Sequence, residues 1–291
     1  MKREGCALCP RRCRVDRAEG RGFCGMGQTI RVAKTMLHFW EEPILVGSGG
    51  SGAVFFSGCV LKCPFCQNFP ISHEGKGRDV SADELEEMIL SLAERGAENI
   101  DLITPTQYVD GLIPVLRSVK KKINIPIVYN TGGYERVETL RRLAGLVDIY
   151  LPDIKYFDPA LSSRYGAGAD YFEVALSALR EMLRQQSANV IEDGVMKSGV
   201  LVRHLVLPNG YKDSMALVRR LAEELPEKPL ISIMRQYTPC YDAKRFPELD
   251  RKLTTFEYRK VVDLCAELGF EGFTQEKGCE TMDYTPDFEG F

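Results

Sequence analysis

The chain has 291 residues, of which 44% are hydrophobic and 27% charged, with a formal net charge of −3. This length suits one large domain or two modest ones and is ample to bury a core, and the composition excludes a disordered or fibrous chain. The near-neutral balance argues against a nucleic-acid footprint, and no run of about 18 apolar residues is present to cross a membrane. No apolar stretch follows Met1-Lys2-Arg3 as a secretory signal would need, so a cytoplasmic location is expected, where thiols stay reduced.

Residues 1–37 carry nine basic side chains against three acidic ones, a local charge of +6, with frequent glycines and weak apolar periodicity. Such a segment has no core of its own and needs a metal to hold its shape. A division into a cysteine-rich arm (1–45), a catalytic body (46–275) and a tail (276–291) is expected. The Gly47–Gly52 stretch lacks Gly-Lys-Ser/Thr and precedes a strand, whereas phosphate loops follow one. It reads as a lead into the first strand, Ala53–Ser57. From there apolar strands alternate with helical patterns, the mark of a parallel sheet. Ser81 and Glu84 form a capping box for a helix to Arg95. Strand 100–104 precedes helix 111–121, strand 125–129 precedes helix 135–144, and strand 147–151 precedes helical segments over 158–186. Strand 200–207 is followed by helix 213–224, and strand 230–234 by helix 255–268, with a last apolar segment near Gly272-Phe273-Thr274. Six βα units are too few for a closed eight-stranded barrel, and an open doubly wound sheet is the competing architecture.

Seven of the ten cysteines lie within the first 66 residues, as Cys6, Cys9, Cys13 and Cys24 and then Cys59, Cys63 and Cys66. The second group, C-x3-C-x2-C, follows the first strand at its carboxyl end, where parallel α/β folds place their sites. Three thiolates on one loop suit an iron–sulfur cube with one iron left open, and an open position distinguishes a reactive centre from a closed one. A zinc site with a borrowed fourth ligand is the alternative. Cys265 reads as a small buried hydrophobe; Cys240 and Cys279 have no required role.

The motif Cys59-x3-Cys63-x-Phe65-Cys66 after a strand resembles that of the radical S-adenosylmethionine (SAM) superfamily. The resemblance extends to Gly47–Cys59, Tyr129-Asn-Thr-Gly-Gly-Tyr134, Leu151-Pro-Asp-Ile-Lys155 and Val202-Arg-His-Leu-Val-Leu-Pro208. With the amino-terminal cysteine segment, these make the chain most similar to the branch related to pyruvate formate-lyase activating enzymes. The resemblance implies an α/β fold, a partial (β/α)6 TIM-type barrel with an N-terminal cysteine-rich metal-binding arm. It implies a [4Fe-4S] cluster on Cys59, Cys63 and Cys66 whose open iron is chelated by SAM. Reductive cleavage then yields a 5′-deoxyadenosyl radical that abstracts hydrogen from substrate. The partners implied are a low-potential electron donor, flavodoxin or ferredoxin, and a glycyl-radical enzyme, in anaerobic chemistry. A small molecule, a peptide or another macromolecule is the alternative substrate. An iron–sulfur or zinc electron carrier or binding module is the non-enzyme alternative.

By resemblance Phe65 packs on the adenine, and Gln67 joins it among the cofactor-binding residues. Thr104 and Thr106, in Thr104-Pro105-Thr106-Gln107, stand where a Gly-Gly-Glu run binds the SAM amino group; they offer oxygen acceptors but no charge. Asn130 and Thr131 end the third strand before two glycines. Asp153 and Lys155, two residues apart, share a face at the fourth strand's end. Arg203 and His204 are adjacent on a strand, so at most one faces the barrel interior; the resemblance selects His204. The group Cys6-x2-Cys9-x3-Cys13-x10-Cys24 has four ligands, enough for a closed site, an auxiliary [4Fe-4S] cluster or zinc.

Overall fold

The computed structural model describes residues 5–283 and 285–288. Lys2, Arg3 and Glu4 of the basic segment, and Tyr284 and residues 289–291 of the tail, lie outside the described residues. In chain order the elements are β1 (Ile30–His38), α1 (Pro43–Val46), β2 (Ser51–Phe56), α2 (Phe69–Ser72), β3 (Arg78–Val80), α3 (Ala82–Glu94), β4 (Asn99–Ile103), α4 (Val109–Val119), β5 (Ile127–Thr131), α5 (Val137–Arg141), β6 (Ile149–Pro152), α6 (Pro159–Arg164), α7 (Tyr171–Gln185), β7 (Val190–Glu192), β8 (Val195–Leu205), α8 (Tyr211–Glu224), β9 (Leu230–Met234), α9 (Thr255–Glu267) and β10 (Gly272–Thr274).

The sheet runs β10-β9-β8-β6-β5-β4-β2-β1-β3, with β7 paired to β8. From β2 to β10 every neighbouring pair is parallel. The expected six βα units are therefore present, and β10 adds a short parallel strand at one edge. The two ends of the sheet do not pair with each other, so the barrel is partial.

Strand alternation sends one set of side chains outward against the helices and the other inward. Ile100, Leu102, Tyr129 and Val202 pack outward with Leu85, Leu112 and Val218 in the main core. Val128, Ile149, Leu151 and Leu201 form a separate inner cluster with Ile44 and Leu45 of α1. The Leu45 carbonyl accepts from the Asn99 side chain (2.6 Å), so α1 stoppers the amino-terminal end of the barrel. The cavity is left at the carboxyl ends of the strands.

Several elements lie outside the sequence reading, the short strand β3 and the helices α1 and α2 among them. Ile30–His38 is a nine-residue strand, antiparallel to β2, where no strand was expected. A register shift between Val32 and Lys34 breaks the two-residue alternation that marks a strand, which is what a β-bulge does. The β7–β8 hairpin was also missed. Its turn, Asp193-Gly194, has both φ angles positive (50° and 79°), and the Asp-Gly pair was the available signal.

The capping box at α3 is present in full: Glu84 N–H donates to the Ser81 hydroxyl (3.1 Å), and Ser81 N–H donates to the Glu84 carboxylate (2.8 Å). Ser81→Ala is expected to lower the unfolding free energy by about 1 kcal/mol in a urea titration.

Candidate metal and cofactor site

The cysteine loop joins β2 to α2 and is held from several sides. Gln107 donates its side-chain amide to the carbonyls of Ser57 (2.9 Å), Gly58 (3.1 Å) and Thr104 (3.0 Å). Arg11 donates to the Val60 carbonyl (2.9 Å), and Asp242 N–H donates to that of Pro64 (2.9 Å). The Cys240 thiol donates to the Phe65 carbonyl (3.2 Å), a role its position after Pro239 did not announce.

Each sulfur of the loop has a donor. Leu61 N–H faces Cys59 (3.4 Å), the Ser72 hydroxyl faces Cys66 (3.2 Å) and the Tyr156 hydroxyl faces Cys63 (3.9 Å). Burial pushes the thiol pKa of Cys63 up to about 12 and that of Cys66 up to about 11. As free thiols they would stay protonated. Three sulfurs that share one loop, each meeting a hydrogen-bond donor, are the chemistry of thiolate ligands whose charge a metal offsets.

A cavity of about 260 Å³ opens beside the loop. Of the residues singled out in the sequence, Cys59, Cys63, Cys66, Phe65, Gln67, Thr104, Asn130, Asp153 and Lys155 line it. Phe65 stands edge-on to Tyr237 (5.7 Å between centroids), a second aromatic wall. The Lys155 ammonium donates to Asp153 (2.7 Å), as the shared face requires. The Tyr171 hydroxyl accepts from Lys155 N–H (3.0 Å) and reaches the Gly132 carbonyl (2.9 Å), tying the ends of β5 and β6 together.

Thr106 and Thr131 do not line the cavity. Both hydroxyls donate to the buried carboxylate of Glu135. His204 also lies outside it. One of its ring nitrogens meets the Ile154 carbonyl (2.6 Å) and the other the Ser214 hydroxyl (2.8 Å). Burial lowers its pKa to about 4, so it is a neutral core imidazole under α8.

Alternation instead turns Arg203 inward. Its guanidinium donates to Asp153 (2.8 Å), to Asn130 (2.7 Å) and to Glu41 (2.7 Å). Burial opposes the ionised Asp153, but the Arg203 guanidinium and the Lys155 ammonium prevail and hold its pKa below the usual carboxylate range. Glu41, Trp40, Gln236 and the tail residues Thr281, Thr285 and Pro286 also line the cavity and carried no motif.

In the amino-terminal arm, Gly22 sits between two of the thiols: a Cβ there would lie 3.1 Å from the Cys13 sulfur and 3.5 Å from that of Cys24. Cys13 is in hydrogen-bond contact with Cys6, and Cys9 lies within electrostatic range of Cys24 and Cys6. Among the described residues no three His, Cys, Asp or Glu side chains are close enough to grip a single ion.

The Radical SAM superfamily matches residues 53–208. An uncharacterized protein of Methanocaldococcus jannaschii is 28% identical over 277 residues, covering 92% of this chain and 76% of that protein. The pyruvate formate-lyase-activating enzyme of Clostridium pasteurianum is 27% identical over 197 residues, covering 64% of this chain and 74% of that enzyme. Among solved structures, SuiB of Streptococcus suis bound to S-adenosylmethionine aligns with a TM-score of 0.53 at 14% identity, over 77% of this chain and 50% of that one. This chain thus spans about half the length of SuiB. A spore photoproduct lyase mutant aligns with a TM-score of 0.52 at 14% identity, over 84% of this chain and 79% of that one.

Arg203→Met is expected to weaken SAM binding about tenfold, roughly 1.4 kcal/mol, in equilibrium dialysis of the reconstituted protein. His204→Gln should leave that affinity within about twofold and cost about 1–3 kcal/mol of stability instead, because it leaves buried partners unpaired.

Glu42 lies beneath this network, and burial raises its pKa from 4.5 to about 7. The folded state therefore holds the Glu42 proton more tightly than the unfolded chain does. Stability should fall as pH rises from about 4.5 to 7, and Glu42→Gln should remove about 1–3 kcal/mol of that fall in pH-dependent denaturation.

Proposed function

This chain belongs to the radical SAM superfamily, whose members use a [4Fe-4S] cluster and S-adenosylmethionine, and from that premise we propose that it generates a 5′-deoxyadenosyl radical to abstract hydrogen from a glycine of a partner glycyl-radical enzyme. The observation that carries the radical chemistry is the meeting of three cysteines on one loop with Phe65, Asn130, Asp153 and Lys155 around a single cavity. Bound on Cys59, Cys63 and Cys66, the cluster would supply one electron for cleavage of the SAM sulfonium. The protein's own residues do the rest. Phe65 offers an aromatic face to the adenine. Lys155, held by Asp153, offers an ammonium to a carboxylate. Thr104 and Asn130 offer neutral polar contacts at the ends of β4 and β5, in place of a charged partner for the SAM amino group.

The glycyl-radical partner rests on the motifs shared with activating enzymes and on the similarity to the Clostridium pasteurianum enzyme over 64% of this chain. A second reading, a small molecule or short peptide as substrate, is favoured by the tail residues Thr281, Thr285 and Pro286, which line the same cavity as the cysteine loop. A low-potential flavodoxin or ferredoxin is the proposed donor in either case, and the reducing setting is cytoplasmic.

The amino-terminal cysteines are proposed to hold an auxiliary [4Fe-4S] cluster. The reading is supported by the nearness of the thiols: Cys13 is in hydrogen-bond contact with Cys6, and Gly22 lies against the sulfurs of Cys13 and Cys24.

Anaerobically reconstituted protein with dithionite is expected to convert SAM to 5′-deoxyadenosine and methionine. A protein that binds about four irons at Cys59, Cys63 and Cys66 yet forms no 5′-deoxyadenosine would overturn the radical reading. With a glycyl-radical enzyme added, a glycyl doublet in the EPR spectrum is expected. Cleavage of SAM without that doublet, with consumption of a small substrate, would favour the second reading.

A further inference from the structure

His38 and Phe288 share one neighbour. Phe55 of β2 stands edge-on to His38 (6.0 Å between centroids) and edge-on to Phe288 of the tail (5.5 Å). Phe55 pairs across the sheet with Ile103, and both line the cavity, so this is the inner face of the sheet. There Phe288 is buried in a small apolar cluster with Ala33 of β1, Ala53 of β2 and Ile71 of α2, apart from the main core. His38, at the end of β1, is 8% exposed and lines the same cavity. Its Nδ1 is buried and has no hydrogen-bond partner among the described residues. Burial lowers the His38 pKa and outweighs the nearby Glu41 carboxylate, so the ring is neutral. A buried ring nitrogen is costly to leave unsatisfied, and the radical chemistry proposed above makes no use of this one.

The tail reaches this face from a firm base. The Arg235 guanidinium donates to the buried Glu280 carboxylate, and the Lys252 ammonium donates to the Glu280 carbonyl (2.7 Å). Beyond that base Thr281, Thr285 and Pro286 line the cavity, and the Lys34 ammonium donates to the Asp287 carbonyl. Residues 285–288 form neither helix nor strand.

We propose that the inner face of β1 and β2 is a subsite of the substrate cavity for an aromatic group bearing an amide: the ring sits on Phe55 in the place of Phe288, the amide bonds to Nδ1 of His38, and the tail beyond Glu280 moves aside. Without a ligand, Phe288 holds the subsite. This inference deepens the reading of the cavity as the substrate site and rests on it. A ligand must compete with the tail, so its apparent affinity is reduced by the fraction of molecules in which Phe288 is seated.

The probe is N-acetyl-phenylalaninamide, titrated by calorimetry into the full chain reconstituted with iron and SAM. Hydrogen exchange at residues 285–288 is expected to rise about tenfold as the probe saturates. Unchanged protection at saturation overturns the proposal, and this measurement needs no variant to fold. Phe288→Ala is expected to bind the probe about tenfold tighter, because the competitor is gone; equal affinity overturns the displacement. A bare hole left by Phe288→Ala would take toluene as readily as the amide. The amide is expected to bind about fivefold tighter than toluene, and His38→Phe, which keeps a ring against Phe55, should erase that preference. Equal binding of toluene and the amide, or a preference that survives His38→Phe, overturns the role of His38. Binding and exchange are read without turnover, so the two levels separate. Probe binding that frees the tail in protein that forms no 5′-deoxyadenosine upholds the subsite and ends the radical reading alone. Absence of binding in protein that does form it ends the subsite alone.

Discussion

A buried guanidinium cannot be left without acceptors, and Arg203 meets that requirement with three different segments of the chain. Asp153 lies just past β6, Asn130 on β5 and Glu41 in the turn after β1. The strand ends that wall the cavity are thereby fixed relative to one another. Asp153 is fixed twice, since it also accepts from Lys155. Removing Arg203 would take from Glu41 its guanidinium partner and leave Asp153 to Lys155 alone. The acidic groups beneath the guanidinium share what remains of its field. Asp153, with two cations in contact, stays ionised, while burial raises Glu42 and Asp101 above the usual carboxylate range.

The cysteines face the opposite constraint. A carboxylate can be compensated by a neighbouring side chain, but the thiols here have only weak donors. Burial therefore keeps Cys63 and Cys66 protonated, and Cys9 likewise, its pKa raised to about 12. Ligation needs thiolates, so loading metal and charging the sulfurs are one event. Between residues 5 and 29 the arm has no regular element. It is pinned by guanidinium-to-carbonyl bonds, Arg11 to Val60 and Arg17 to Gln107, and by Thr139 donating to the Leu8 carbonyl.

The parallel body was legible because its signals are local. Strands β4, β6 and β9 and helices α3, α8 and α9 carry alternation, periodicity or caps within a few residues. The loop cysteines were legible because their spacing is itself the signal. What escaped was set by tertiary contacts. The strand Ile30–His38 hides behind its bulge and needs β2 as a partner to form. Whether Arg203 or His204 faces inward depends on a one-residue phase that no flanking pattern specifies, since Val202, Leu205 and Val206 are apolar on both faces. Thr106 and Thr131 sit at the right strand ends but turn to Glu135, a buried carboxylate that claims both hydroxyls. Glu41 and the tail residues come from far apart in sequence and share only the cavity.

The same topology sets the arm and the cavity on different sides of the cysteine loop. The arm lies on the outer side of the cysteine loop, against Tyr134, Thr139 and Gly166. The cavity opens on the inner side, walled by Trp40, Glu41 and the tail. On the proposed reading hydrogen is taken inside the barrel, on the face of the loop turned away from the arm. At Gly58 an added Cβ would meet Met26 at 2.3 Å and the Cys24 carbonyl at 2.8 Å, so only glycine lets the arm pack this closely behind the loop.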